Sequence, residues 1–146
     1  MEKLNSIIFY NLDKAIRTYR NYAQRQLKAN GFNITIDQWL IIKAILENPG
    51  ITQNEIGDLV FKDNASVTRI IELLVKSGYI LRNINDKDRR KTNLEVTESG
   101  KKIIKKVQAL VENNRKIALD GISDEELQIM NSALLKISKN CINAKK

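Results

Sequence analysis

Short polar side chains and one long cation cluster between residues 64 and 69. Asn64, Ser66 and Thr68 carry hydrogen-bond donors and acceptors on short stems, and Arg69 adds a guanidinium group. Such groups can hydrogen-bond to base-pair edges when a helix enters the major groove of DNA. The candidate base-contacting set is Lys62, Asn64, Ala65, Ser66, Thr68 and Arg69. The alternative is an ordinary solvated helix face. The elements predicted on either side of this segment distinguish the two interpretations.

These residues lie in a segment, residues 52–97, whose pattern is helix, turn, helix, strand, charged loop, strand. The stretch 52–55, Thr-Gln-Asn-Glu, has the pattern of a capping box and predicts a helix start. A three-residue turn, 61–63, leads to a second helix capped by Asp63 or Asn64. Gly78 is expected to end that helix. The predicted apolar positions of the two helices are Ile56, Leu59, Val60, Val67, Ile70, Ile71, Leu74 and Val75.

A charged hairpin is predicted after the second helix. Residues 79–82 and 92–96 read as its strands, with Leu94 and Val96 on one face. From Arg82 to Lys91 there are five cations and two anions, a net charge of +3. An Arg at such a tip can enter a narrow minor groove, and Asp88 is spaced to orient Arg90. The candidate wing contacts are Lys87, Asp88, Arg89, Arg90 and Lys91; the alternative is a solvated charged turn.

These motifs, in this order and spacing, resemble those of the MarR family of bacterial transcription regulators. Asp88 and Arg90 match the "DxR" of the family's wing. The segment 94–100 is similar to the family's "LTxxG", although Glu95 and Val96 change its opening. The resemblance is carried by residues 66–74, 76–80, 88–90 and 94–100, and it extends more loosely over nearly the whole chain.

The resemblance implies a mainly α fold with a small β-hairpin wing. A single domain would then span residues 1–146, with a winged helix-turn-helix at 52–97 and dimerisation helices at 1–30 and 98–146. It also implies a homodimeric, sequence-specific DNA-binding transcription regulator on a pseudo-palindromic operator, acting as a repressor that a small effector releases. A winged-helix module for protein–protein contact is the alternative, and it predicts neither duplex binding nor salt dependence.

Composition limits the other function classes. A chain of 146 residues with 42% hydrophobic and 29% charged residues is typical of one globular domain. The net charge of +8 lies mainly outside residues 52–97, so it supports only a general attraction to DNA. No apolar run approaches the ~20 residues of a membrane span, and the N-terminus lacks a signal peptide's pattern. We therefore expect no membrane partner and a cytoplasmic location.

Catalytic and metal-binding patterns are missing from the sequence. There is no histidine and only one cysteine, so the commonest general base and the usual zinc ligands are lacking. We expect no enzymatic activity, no cofactor and no metal. Cys141 lies on an apolar stripe and is expected to be a buried, inert thiol, while a DNA-binding redox sensor acting through Cys141 is the alternative.

Four further helices are predicted outside the central segment. The first spans residues 3–30, and the second begins with a capping box at Thr35 and is apolar almost all round, which indicates burial. Thr97 is expected to cap the third, whose side carrying Lys101, Lys102, Lys105 and Lys106 either meets phosphates or is simply solvated. A capping box at Ser123 opens the last helix.

Apolar seams of coiled-coil type run along the terminal helices. One short chain has few elements against which to bury them, so a second copy is the economical partner. The candidate dimer contacts are Leu4, Ile8, Leu12, Leu110, Leu127, Met130, Leu134 and Ile137.

A small-ligand pocket is the last candidate site. Tyr19, Arg20 and Tyr22 on the first helix, with Trp39 on the second, could form aromatic walls with a cation at the rim. The resemblance implies that many family members respond to phenolic or lipophilic compounds at this junction. The expected ligand is therefore a small aromatic or amphipathic molecule; the alternative is that Tyr19 and Trp39 simply pack the core.

Overall fold

The mainly α architecture with a small hairpin is confirmed. The structure is a computed structural model that describes residues 1–84, 87 and 92–144, and within these ranges the chain forms six α-helices and one two-stranded sheet. The helices are α1 (Ile8–Ala29), α2 (Ile36–Glu47), α3 (Gln53–Val60), α4 (Asn64–Lys76), α5 (Glu98–Ala118) and α6 (Asp124–Asn143), and the strands are β1 (Ile80–Ile84) and β2 (Thr92–Val96). The chain divides into two compact units, residues 1–114 and 115–146.

The predicted capping boxes start three of the helices. Thr35 Oγ1 accepts the Gln38 N–H at 3.0 Å at the start of α2, and the Gln38 amide accepts the Thr35 N–H in return. The same reciprocal arrangement opens α3 at Thr52 and α6 at Ser123. Each box satisfies backbone donors that the first helical turn leaves without partners.

The prediction of one continuous helix over residues 3–30 is wrong at its N-terminal end. Residues Leu4–Ser6 form a single 3₁₀ turn, and α1 begins only at Ile8 after an extended Ile7. Ser6 Oγ donates to Lys3 O at 2.7 Å, and Asn11 Nδ2 donates to Asn5 O at 3.0 Å. Such short polar side chains compete with the helix for backbone groups, so Leu4 does not share a helical stripe with Ile8.

One hydrophobic core organises the first unit. α2 lies at its centre, with Ile41 and Ile42 fully buried, as its apolar sequence predicted. The fully buried side chains of the other elements are Ile56 of α3, Val67, Ile71 and Leu74 of α4, Ile80 of β1 and Val107 of α5. Leu59 and Val75, two of the predicted apolar positions, are exposed, because they lie at the edges of their helical stripes.

The wing strands are fixed to the end of α4. β1 pairs with β2 in antiparallel register, Ile80 opposite Val96, and Leu94 and Val96 turn inward as predicted. Thr97 Oγ1 donates to Gly78 O at 2.6 Å and accepts the Gly100 N–H at 3.0 Å. One hydroxyl therefore joins the turn after α4 to the first turn of α5.

In the second unit, α6 exposes most of its surface. None of its described residues is buried, and Cys141 is exposed, so the expectation of a buried thiol is wrong for the single chain. The apolar stripe on which Cys141 lies is at most half-buried along this helix. None of the described helices combines the length and the apolar composition that a bilayer-spanning segment requires.

Candidate nucleic-acid interface

A tight turn sets α4 against α3. Phe61 adopts a left-handed conformation, φ 61°, and Lys62 N donates to Gly57 O at 2.9 Å. A Cβ atom on Gly57 would lie only 2.7 Å from Lys62 O, so the close approach of the turn to α3 requires glycine. The two helices are therefore held at a fixed separation by backbone geometry.

Asp63 is the cap of α4, and Asn64 is its first helical residue. The Asp63 carboxylate accepts the Ser66 N–H at 2.8 Å and the Ser66 hydroxyl at 3.2 Å. These hydrogen bonds, the backbone one first, hold the pKa of Asp63 below its ordinary value of 3.8. The hydroxyl of Ser66 is consequently turned toward the cap, which leaves its lone pairs for a partner outside the chain.

The predicted recognition residues divide by exposure. Asn64, Ala65 and Arg69 are exposed, and Ser66 and Thr68 are half-buried. Val67, Ile71 and Leu74 of the same helix are fully buried, so the exposed residues of α4 have a fixed direction. The sequence pattern thus located a face that a rigid helix presents outward.

Lys62, placed in the same set by sequence, has a partner inside the chain. Its Nζ lies 3.2 Å from Asp37 Oδ2 at the start of α2, and its side chain is only 29% exposed. Asp37 Oδ1 also lies 3.4 Å from Arg20 Nη1 on α1. Asp37 therefore links the turn before α4 to the first helix, a role that its position in the capping box did not indicate.

Gln53 is the other residue that sequence reasoning missed. Its side-chain nitrogen lies 2.5 Å from Thr68 Oγ1 and 3.3 Å from Asn64 Oδ1. These partners are 15 and 11 residues away along the chain. Its polar type at the first position of α3 was the only available signal, because contacts across the helix pair depend on the packing angle.

The wing is described only in part. Arg82 and Asn93 are exposed on the paired strands, and Lys87 is exposed in the connection between them. The predicted wing contacts Asp88, Arg89, Arg90 and Lys91 lie outside the described residues. On α5, directly after β2, the four lysines are all exposed, and Lys101 Nζ lies 3.4 Å from Glu98 Oε1.

The candidate ligand-binding residues lie where α1 meets α2. Gln24 Oε1 of α1 accepts the Ile36 N–H of α2 at 3.0 Å, which fixes the two helices to each other. Tyr19, Arg20, Tyr22 and Trp39 are all half-buried. The Trp39 Nε1–H is buried and has no hydrogen-bond partner among the described residues. Lys43 Nζ stands 5.9 Å from the centre of the Trp39 ring.

The candidate dimer residues carry much uncovered apolar surface. In the first unit, Leu4 and Ile8 are each 60% exposed, and Leu12 and Leu110 are half-buried. In the second unit, Met130 and Leu134 are exposed, and Leu127 and Ile137 are half-buried.

The fold and this polar helix face define a winged helix-turn-helix protein. A model of the MarR family matches residues 34–92, which run from the loop before α2 to the first residue of β2. YybA of Bacillus subtilis (strain 168), an uncharacterised HTH-type transcriptional regulator, is 29% identical over 108 residues, 74% of this chain and 72% of YybA. Over residues 34–92 the chain is therefore similar to the MarR family.

Two solved structures illustrate the shared fold. A MarR protein of Peptoclostridium difficile (DA00132) is 26% identical, with a TM-score of 0.83 over 98% of this chain and 92% of that one. BpsR of Bordetella bronchiseptica, whose DNA binding is regulated by 6-hydroxynicotinic acid, is 17% identical, with a TM-score of 0.85 over 99% of each chain.

Proposed function

We propose that this chain is a transcription regulator of the MarR type, a homodimeric repressor that reads a pseudo-palindromic DNA operator through α4. The observation that carries the proposal is the division of α4 into two faces. Val67, Ile71 and Leu74 are fully buried, whereas Arg69 is exposed on the opposite side of the helix and Asn64 is exposed in its first turn. A helix anchored in this way can carry its polar N-terminal turns into a major groove without losing their geometry.

The proposed base contacts come from the first two turns of α4. Arg69 is a long, exposed cation suited to the two acceptors of guanine, and Asn64 offers an amide at the front of the helix. Ser66 and Thr68 lie deeper and suit close approach of the backbone. Lys62 is held by Asp37 and acts, in this proposal, at the rim of the interface.

The wing and α5 supply contacts to the DNA backbone. The cation-rich connection between β1 and β2 is proposed to enter the minor groove, with Arg90 as its principal side chain and Asp88 as the partner that orients it. The exposed α5 lysines follow β2 directly and suit phosphates. These contacts position the protein, while base preference resides in α4.

Two copies are proposed to form the binding unit through residues 1–30 and 98–146. The uncovered apolar side chains of α1 and α6 support this proposal, because large exposed apolar patches mark interaction surfaces. A two-fold dimer would place two α4 helices in successive major grooves, with half-sites ~34–36 Å apart. Residues 52–97 would then read DNA while the flanking helices set the spacing.

An effector is proposed to release the repressor from its operator. The Trp39 Nε1–H, which is buried and has no hydrogen-bond partner among the described residues, and the half-buried Arg20 are donors that suit the carboxylate of a small aromatic acid. The regulation of BpsR by 6-hydroxynicotinic acid supports this class of ligand. The ligand would act by preferring a dimer in which the two α4 helices have the wrong spacing.

Selection of bound duplexes from a random pool tests the proposal. Wild-type protein should enrich a two-fold symmetric site, and Arg69→Ala and Ser66→Ala should bind it more weakly and lose preference at particular bases. Arg25→Ala, which removes an exposed cation of α1, is the matched control and should keep the wild-type preference. Enrichment of no sequence by the wild type would contradict DNA reading and favour a module for protein–protein contact.

A further inference from the structure

Gln53 connects the first residue of α3 to two of the candidate base-contacting residues of α4. Its Nε2 lies 2.5 Å from Thr68 Oγ1 and 3.3 Å from Asn64 Oδ1. Gln53 itself is half-buried between the helices. Its side chain therefore belongs to the structure that supports the reading face, and the inference below rests on the proposed function of that face.

Counting hydrogens at Thr68 fixes the direction of this network. Thr68 Oγ1 lies 2.8 Å from the backbone carbonyl of Asn64, which can only accept a hydrogen bond. A hydroxyl has one hydrogen, so Thr68 has none left for Gln53. The Gln53 atom that faces Thr68 must therefore be a donor, which places its NH₂ group there and its carbonyl oxygen on the other side.

The same argument fixes the amide of Asn64. The second hydrogen of the Gln53 NH₂ group points to the Asn64 side chain, where only an oxygen can accept it. Asn64 Oδ1 is therefore turned back toward α3. Asn64 Nδ2 makes no hydrogen bond among the residues that the structure describes, and Asn64 is exposed. Two N–H hydrogens thus stand at the front of the helix.

We propose that Gln53 determines which bases Asn64 selects, because it holds the Asn64 amide with its donor side toward the DNA. A donor at this point matches the major-groove acceptors N7 and O6 of guanine, N7 of adenine and O4 of thymine. It opposes cytosine, whose exposed major-groove group is an amino donor. The paired contact of an Asn amide with adenine needs both amide atoms at the base edge, and here Oδ1 is engaged elsewhere.

Gln53→Glu is the variant that reverses the network. It keeps the shape of the side chain but replaces the NH₂ donor with an acceptor. Thr68 then faces a group that cannot donate, and the Asn64 amide gains a partner only by turning its NH₂ inward. Asn64 Oδ1 would move to the front of the helix, where it accepts from the amino groups of cytosine and adenine.

The experiment compares base preferences selected from a random duplex pool. Asn64→Ala first identifies the operator position that Asn64 reads, since preference there should disappear. At that position the wild type should disfavour cytosine, and Gln53→Glu should shift the base ratio toward cytosine by about tenfold, the discrimination of one good base contact. Asn54→Glu, an exposed neighbour, is the control for the added charge and should lower affinity without changing the preference.

A measurement on the free protein tests the network without DNA. Side-chain amide signals in nuclear magnetic resonance spectra should show the Gln53 and Asn64 amides responding together to Thr68→Val, which removes the shared hydroxyl. Thermal unfolding of each variant verifies that it is folded. If the Gln53 and Asn64 amide signals do not change in Thr68→Val, the inference is overturned, even where the wild type binds a specific operator.

The possible results distinguish a failure of DNA reading by α4 from a failure of the role proposed for Gln53. A wild-type protein that selects no sequence overturns the proposed function and this inference with it. A wild-type protein that selects an operator, with Gln53→Glu keeping the wild-type preference at the Asn64 position, overturns only the role of Gln53. A change in base preference that is confined to that position in both half-sites supports the proposal that Gln53 determines which atom of the Asn64 amide faces the DNA.

Discussion

Lys62 Nζ lies 3.2 Å from Asp37 Oδ2, so the turn before α4 is tied to the start of α2 by an ion pair. Asp37 also lies 3.4 Å from the Arg20 guanidinium. One carboxylate thus faces a cation proposed for the DNA interface and a cation proposed for the effector site. The charge of Lys62 is partly neutralised before any phosphate approaches it.

Removing that carboxylate should free Lys62 for DNA. Asp37→Asn keeps the shape of the side chain but not its charge, so operator affinity at low salt should rise. The slope of log affinity against log salt concentration should become steeper by up to about one, the change expected for one added phosphate contact. Binding titrations at several salt concentrations measure both quantities.

Asp58→Asn is the matched control, because Asp58 is an exposed carboxylate on α3. It removes the same charge from the same unit without releasing Lys62. Equal effects of the two variants would show that only overall charge matters and that the Asp37–Lys62 pair has no separate role.

Gly100 is predicted to be irreplaceable for packing. A Cβ atom there would overlap Tyr79 O and would lie 2.7 Å from Val96 Cγ1, where the wing strands meet α5. Gly100→Ala should therefore lower the free energy of unfolding by about 1–3 kcal/mol, as overpacked sites do. The midpoint of urea unfolding measures the loss, and Ser99→Ala, on an exposed neighbour, should leave the midpoint nearly unchanged.

The parts of the fold that could be predicted from the sequence are those that depend on residues close together along the chain. The boxes at Thr35, Thr52 and Ser123 each involve residues three positions apart, so the helix starts could be read directly from the chain. Alternation in β2 likewise predicted that Leu94 and Val96 face inward. The polar face of α4 followed from helical spacing alone.

Other features depend on contacts that spacing does not encode. Gln53 meets Thr68 across the helix pair, and Asp37 meets both Arg20 and Lys62 only after α1, α2 and the turn have packed together. The 3₁₀ turn near Ser6 depends on local hydrogen bonds from side chains to the backbone. The energy by which these hydrogen bonds compete with a helix is small, and a continuous apolar stripe in the sequence does not show it. Cys141 shows the same limit, because a stripe predicts an apolar face without saying what covers it.

Asp63 should make stability depend on pH in the acid range. Hydrogen bonds from Ser66 lower the pKa of the folded Asp63 below 3.8, so the cap contributes stability above that pH and loses it as pH falls through the folded pKa. Asp63→Asn should lack this dependence, because an Asn cap does not titrate. The difference in unfolding midpoint between wild type and variant should narrow as the pH falls through 3.8 and below; a constant difference would contradict the assignment.

The proposed dimer should depend on the apolar stripe of α6. Leu134 is 39% exposed in the single chain, so Leu134→Asp should fold but place an unpaired charge in the proposed interface. Light scattering at micromolar concentration should give the mass of two chains for the wild type and a lower average mass for the variant. Ser132→Asp adds the same charge at an exposed position on the opposite side of α6 and should leave the mass unchanged. A wild-type mass of one chain would end the dimer proposal.

An aromatic acid should bind beside Trp39, and operator DNA should weaken that binding. The chain has a single tryptophan, so its fluorescence reports on this site alone. Titration with 6-hydroxynicotinic acid and related aromatic acids should change that fluorescence, because Arg20 and the buried Trp39 Nε1–H offer donors to a carboxylate.

The effects of the acid and the operator on each other's affinity must be equal, which makes the effector prediction quantitative. If the acid lowers operator affinity by some factor, then operator must lower affinity for the acid by the same factor, since both ligands bias one equilibrium between dimer states. Calorimetric titrations with and without operator measure the two factors independently. Arg20→Gln should weaken acid binding, whereas Arg25→Gln, an exposed cation of the same helix, should not. An acid that binds equally well with and without operator would exclude allosteric release, because a ligand with equal affinity for both states shifts neither.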